Sequence, residues 1–160
     1  MATTRAVLTP LSAEFPASNF AALMTVNARP VLAFDAATDE TAQWTFIAPQ
    51  GMTGTLTAVL SLIGAAASTN PTYWDVSIEA VTTADATDLD SADSFDSINS
   101  GNVAMGATQG YMVQLSITLT NKDSVAAGDY VRVKVTRDAN NGSDTFAGDA
   151  YLLAVEIREA

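Results

Sequence analysis

Five segments of this chain alternate apolar with polar or small residues: Thr55 to Ile63, Tyr73 to Val81, Tyr111 to Thr120, Asp129 to Arg137 and Ala150 to Arg158. A period of two sends successive side chains to opposite faces, so each segment reads as a strand with one buried face. The inward rows are Leu56, Ala58, Leu60 and Leu62; Trp74, Val76, Ile78 and Ala80; Tyr111, Val113, Leu115, Ile117 and Leu119; Val131, Val133 and Val135; and Leu153, Val155 and Ile157. Several such strands with turn residues between them make a sandwich or a barrel.

Shorter strands over Val31 to Phe34, Ala42 to Ala48 and Asn99 to Met105 bring the count to eight. The spacing does not suit parallel crossovers, which need a helix of about a dozen residues between strands. No segment repeats, which argues against a propeller or solenoid. Eight antiparallel strands match a jelly roll. An immunoglobulin-like sandwich is the alternative, but its Cys pair is absent. The expected fold is therefore all-β: an eight-stranded antiparallel jelly-roll sandwich over residues 29–160, preceded by an irregular N-terminal arm over residues 1–28.

Pro10, Pro16 and the Ala28-Arg29-Pro30 junction punctuate the arm, and Ser18 to Met24 reads as a short helical turn. Phe15, Phe20, Leu23 and Val26 are too apolar for a solvated tail, so the arm is expected to lie on a neighbouring subunit or another partner. Val59 and Ile63 make the second face of their strand partly apolar as well, and become further candidate contact residues. With only 16% charged residues, the chain carries Thr, Ser, Ala and Asn where Lys and Glu are common, which suits burial between subunits as well as it suits a plain Thr-rich sheet.

The residue types narrow the chemistry. The chain has no His and no Cys, so thiolate chemistry, disulfides and Cys-type zinc sites are excluded together. A Ser nucleophile would have to rely on Lys or a carboxylate, and no strained nucleophile turn of the G-x-S-x-G kind is present. Asp75, Glu79 and the acidic stretch offer carboxylates for glycoside cleavage, but carboxylates are common in a chain of net charge −11 and single out no pair. No enzymatic activity is expected. The stretch Thr82 to Asp96 holds Asp85, Asp88, Asp90, Asp93 and Asp96 without the Gly and closing Glu of an EF-hand loop. It reads as a solvated acidic loop pinned by Leu89 and Phe95, and no cofactor is expected.

Arg132 and Lys134 face outward and are suited to pairing with Glu79 or Glu156 across a sheet. Trp44 and Trp74 sit on inward rows and belong to the core, which leaves Tyr73 as the aromatic best placed for a ligand. The seven cations are scattered along a chain of charge −11, so neither nucleic acid nor an anionic membrane is an expected partner. No apolar run reaches a membrane span, and no continuous apolar stretch follows Met1 to Arg5 as in a signal peptide, so synthesis in a cytoplasm, with retention there or release by lysis, is expected.

The segment Lys122 to Asp138 has an Ala127-Gly128-Asp129 turn and a strand ending in Arg137-Asp138, then an Asp-bearing loop and the closing strand Tyr151 to Glu159. With Arg29 to Phe34 and Trp44 to Pro49, this pattern resembles small jelly-roll proteins of tailed-phage virions, most of all head decoration (cement) proteins. Related turns and strands also occur in tail-fibre tips and carbohydrate-binding jelly rolls. The resemblance implies a structural protein made in the host cytoplasm and placed on the outer capsid surface. It would be a homotrimer binding the major capsid protein lattice, with no catalytic residues to carry over. A host-recognition or carbohydrate-binding module at a fibre or spike tip is the alternative, binding glycans through exposed aromatics such as Tyr73.

Overall fold

The computed structural model describes all of residues 1–160. It contains ten strands: β1 Thr3–Leu8, β2 Ala22–Val26, β3 Arg29–Phe34, β4 Glu40–Ile47, β5 Leu56–Gly64, β6 Pro71–Val81, β7 Asn99–Ala104, β8 Val113–Leu119, β9 Tyr130–Arg137 and β10 Ala150–Glu159. The only helical turn is a 3-10 turn at Pro10–Ser12. The strands form two antiparallel sheets. One is six-stranded, in the order β2-β3-β10-β5-β8 with β1 also paired to β10; the other is four-stranded, β4-β9-β6-β7. This is the jelly-roll sandwich that the alternation implies, and β3 to β10 fall on the eight expected segments.

The inward rows meet in one continuous cluster that includes Trp44, Trp74, Phe34, Leu60, Leu62, Ile78, Val133 and Val135. Each fully buried large apolar side chain contributes about 1.5–3 kcal/mol, so these rows dominate the stability. The polar end of each Trp is satisfied: Nε1 of Trp44 donates to the Thr9 carbonyl at 2.8 Å, and that of Trp74 to Oγ1 of Thr72 at 2.8 Å. The Phe34 and Trp74 rings meet edge to face at a centroid distance of 4.9 Å.

Residues 1–28 differ from expectation. They are strand-bearing rather than irregular, and they lie on their own sandwich. Thr3 to Leu8 pairs with β10, Ala22 to Val26 pairs with β3, and isolated bridges join Glu14 to Gln43 and Phe20 to Thr41. The expected helical turn at Ser18 to Met24 is absent, because Ala22 to Val26 instead satisfies its backbone on the open edge of β3. The turn between β2 and β3 is Asn27-Ala28, both at positive φ (45° and 62°), as a two-residue type I′ hairpin requires.

One correction concerns β10. A bulge shifts its register against β5 between Leu152 and Ala154. Leu152, Val155 and Ile157 therefore fill the core, while Leu153, expected on the inward row, is only half-buried and faces out. An extra residue in one strand moves the pattern by one and re-aims the side chain at the bulge. At the other inward row, β8 begins at Val113, leaving Tyr111 66% and Met112 59% exposed in the preceding loop.

Candidate functional site

The outer faces of the two sheets differ in what covers them. On the four-stranded sheet, the acidic loop from Thr82 to Ile98 is tied down over β6 and β9. Arg132 binds Glu79 at 2.9 Å, Asp93 at 2.5 Å and the Gln43 side chain at 2.8 Å. The Phe95 ring lies under both cations, 5.0 Å from the Arg132 guanidinium carbon and 4.3 Å from the Lys134 ammonium. Ser94 donates its N–H and its hydroxyl to Glu79, and Asp96 accepts the Asp123 N–H at 2.9 Å. Of the two expected pins, Phe95 acts as one; Leu89 is 53% exposed. The expected Arg132–Glu79 pair forms, whereas Glu156 pairs with Arg158 at 2.6 Å on the other sheet.

These contacts also account for the acidic stretch. Asp85 accepts the Thr82 N–H at 2.7 Å, Asp93 pairs with Arg132, and Asp96 is held below the usual carboxylate range by the N–H groups of Asp123 and Ser97. No three carboxylates gather in a metal-holding arrangement. Asp75 and Glu79 lie four residues apart on the same face of β6, about 13 Å along a strand, which exceeds the ~6.5–9.5 Å of an inverting glycosidase pair. Glu79 is moreover fully buried beneath Arg132.

The outer face of the six-stranded sheet carries a mostly apolar cleft of about 400 Å³, bounded by Val26, Asn27, Arg29, Val31, Ile63, Gly110, Met112 and Leu153. Four parts of the fold build it. The β2–β3 hairpin supplies one wall, with Arg29 Nη1 donating to the Asn27 carbonyl at 3.1 Å. The loop before β8 supplies the opposite wall, held to the end of β5 by the Gly110 N–H on the Gly64 carbonyl at 3.3 Å. Val31 of β3 and Ile63 of β5 make the floor, and the β10 bulge turns Leu153 into it. The floor is aliphatic, the polar groups stand on the hairpin rim, and no carboxylate lines it.

The structure brings together two of the expected contact residues, Val26 and Ile63, in this cleft. Val59 lies on the same sheet face but is only 2% exposed. Phe15, Phe20 and Leu23 lie outside the cleft, 41%, 46% and 49% exposed, with the two Phe rings 5.8 Å apart. Tyr73 is half-buried on the four-stranded sheet, away from the cleft. Leu153, Met112 and Gly110 were not legible as site residues, since no local pattern announces a bulge or which loop will overhang a sheet. Arg29 had a signal: it ends a run, residues 15–28, without a single charge.

No protein-family model matches the sequence, and no curated protein does. Solved structures do match. A family 35 carbohydrate-binding module from Clostridium thermocellum aligns with a TM-score of 0.61 at 13% identity, covering 99% of this chain and 100% of that one. The chain has the fold of carbohydrate-binding modules. A xylan-binding module, CBM15, aligns at 0.52 and 14% identity over 100% and 97% of the two chains. A CBM36 module in complex with calcium and xylotriose aligns at 0.51 and 14% identity over 95% and 98%. At these identities the likeness is one of fold.

The comparisons overturn the phage reading. The three aligned structures are carbohydrate-binding modules, not head decoration proteins, so a virion protein on a major capsid protein lattice is not supported, and nothing supports the expected homotrimer. The physical reason is that the residues behind the resemblance are generic sandwich parts. The Ala127-Gly128-Asp129 turn needs Gly128 at φ 91°, and the Val131, Val133 and Val135 row is core. Any jelly roll has use for both.

Proposed function

We propose that this chain is a non-catalytic carbohydrate-binding module whose ligand lies in the cleft on the outer face of the six-stranded sheet. The observation that carries the reading is the cleft itself: an open trough of about 400 Å³ with an aliphatic floor and polar groups on one rim. A sugar ring presents apolar C–H faces and hydroxyl edges, and such a trough complements both. The fold supports the reading, because a xylan-binding module and a module complexed with xylotriose share it. The absence of any carboxylate from the lining argues for binding without hydrolysis, which needs two.

The test is affinity electrophoresis and titration calorimetry against a panel of soluble plant, bacterial and algal polysaccharides, comparing the native chain with Ile63→Arg. Ile63 faces outward from β5, so the substitution fills the cleft without entering the core. The expected result is binding to at least one polysaccharide, weakened at least tenfold by Ile63→Arg at an unchanged urea midpoint. Absence of binding across the panel, or equal binding by the variant, overturns the proposal.

A further inference from the structure

We infer that the cleft selects a glycan carrying an isolated carboxylated sugar, and that Arg29 is the residue that reads the carboxylate. The inference rests on the carbohydrate-binding reading above and adds the ligand's chemistry. It starts from the fate of the seven cations. Arg5 is paired with Glu159, Arg132 with Glu79 and Asp93, Arg137 with Asp144, and Arg158 with Glu156. Lys122 donates to the Gly54 carbonyl at 2.7 Å, and Lys134 stacks on Phe95. Arg29 and Lys122 have neither a carboxylate nor an aromatic partner, and of the two only Arg29 lines the cleft. In a chain with eighteen Asp and Glu, a cation left without a carboxylate is placed where none of the protein's own acids reaches it.

Its position gives that isolation a use. Arg29 is exposed on the rim of the cleft and is the one charged residue in its lining. A guanidinium has five N–H donors in a planar fork. A single bond, Nη1 to the Asn27 carbonyl at 3.1 Å, holds Arg29 against the hairpin, which leaves the rest of the fork free. A planar fork beside an aliphatic trough fits a carboxylate on a sugar ring: two parallel N–H···O bonds to the acid, with the ring's C–H face on Ile63 and Leu153. Lys at the same place would offer a point charge without the two-bond geometry.

The overall charge limits how acidic the ligand is. At −11, the protein's field repels a polyanion, and the one free cation in the cleft answers only one carboxylate. The preferred ligand is therefore a neutral oligosaccharide bearing one uronic acid, not a polyuronate.

The experiment measures dissociation constants for oligosaccharides carrying one glucuronic or galacturonic acid, each paired with its carboxyl-reduced neutral form, together with trigalacturonic acid. The proteins are the native chain, Arg29→Ala and Arg29→Lys. The native chain should bind the acid forms at least tenfold tighter than the reduced forms, with a preference that shrinks as salt rises. Arg29→Ala should abolish the preference while still binding the reduced forms, Arg29→Lys should keep only part of it, and trigalacturonic acid should bind more weakly than the best single-uronate probe. Equal binding of acid and reduced forms by the native chain overturns this inference and leaves the carbohydrate-binding reading standing. So does an acid preference that survives Arg29→Ala, or tightest binding to trigalacturonic acid. Failure to bind any acid or neutral glycan overturns both.

Discussion

Arg137 and Asp144 form a fully buried two-bond ion pair, Nε to Oδ2 and Nη2 to Oδ1 at 2.9 Å each. The other three N–H groups of Arg137 donate to the carbonyls of Phe34, Phe146 and Gly148 at 3.2, 2.7 and 2.9 Å. All five guanidinium donors are thus satisfied. Through them the end of β9 holds the loop between Arg137 and Ala150 against β3, and so sets where β10 begins. Because removing one member of such a pair leaves a buried charge uncompensated, Asp144→Ala should cost about 3–5 kcal/mol, read as a lower midpoint in urea denaturation. A loss below about 1 kcal/mol would mean that the pair is not the organiser of this loop.

The β2–β3 turn holds Ala28 at φ 62°, a region that costs a side chain with a Cβ about 1–2 kcal/mol. Glycine adopts it freely. Ala28→Gly should therefore raise the unfolding free energy by up to about 1 kcal/mol, the gain being reduced by glycine's larger entropy when unfolded. Because this hairpin is one wall of the cleft, the same variant should leave glycan affinity within twofold of the native chain. Thermal and urea unfolding check the first statement, calorimetry the second.

Burial holds the Asp75 carboxyl above the usual carboxylate range; the Ser100 hydroxyl pulls it down, and the charges of Asp138 and Asp39 add to the rise. The folded protein then holds that proton more tightly than the unfolded chain, so ionising Asp75 costs stability as pH climbs from 3.8 through the raised value. Asp75→Asn should match the native chain at low pH and exceed it near neutrality. The excess should be small, about 0.5 kcal/mol or less, because the group is partly solvated and screened. A gap that narrows with rising pH would contradict the assignment.

Phe95 holds the acidic loop by lying against Arg132 and Lys134. Phe95→Ala should release residues 82–98 locally, seen as faster amide hydrogen exchange and new proteolytic cuts there, while β5, β9 and β10 keep their protection. Each cation–π contact of this partly exposed kind is worth about 0.5–1 kcal/mol. Uniform loss of protection across both sheets would show the loop to be part of the cooperative core instead.

The path from sequence to site can be followed residue by residue. Trp44, Trp74 and the Val131, Val133 and Val135 row lie where their alternation puts them. Arg137 continues that inward row at the next step of two, so its burial was written in the spacing even though its charge suggested the surface. Val26 was visible as an apolar residue of the arm and Ile63 as one on the second face of its strand, and both line the cleft. Leu153 was not, because the bulge that turns it outward depends on how β10 registers against β5.

Composition and period two settled, within the chain alone, that this is a sandwich of antiparallel strands and which rows form its core. Burial is decided locally there: a strand has two faces, and the apolar one leaves water. The cleft is a different kind of fact. Residues 26–31, 63, 110–112 and 153 are far apart along the chain, and they meet because β3, β10 and β5 are neighbours in one sheet while two connections overhang it. The seating of residues 1–28 on β10, β3 and β4 belongs to the same class, since an edge accepts whichever strand the closed fold brings to it. Strand order, register shifts and loop overhang are set by the simultaneous packing of both sheets, a condition on the whole chain that no window of its sequence contains.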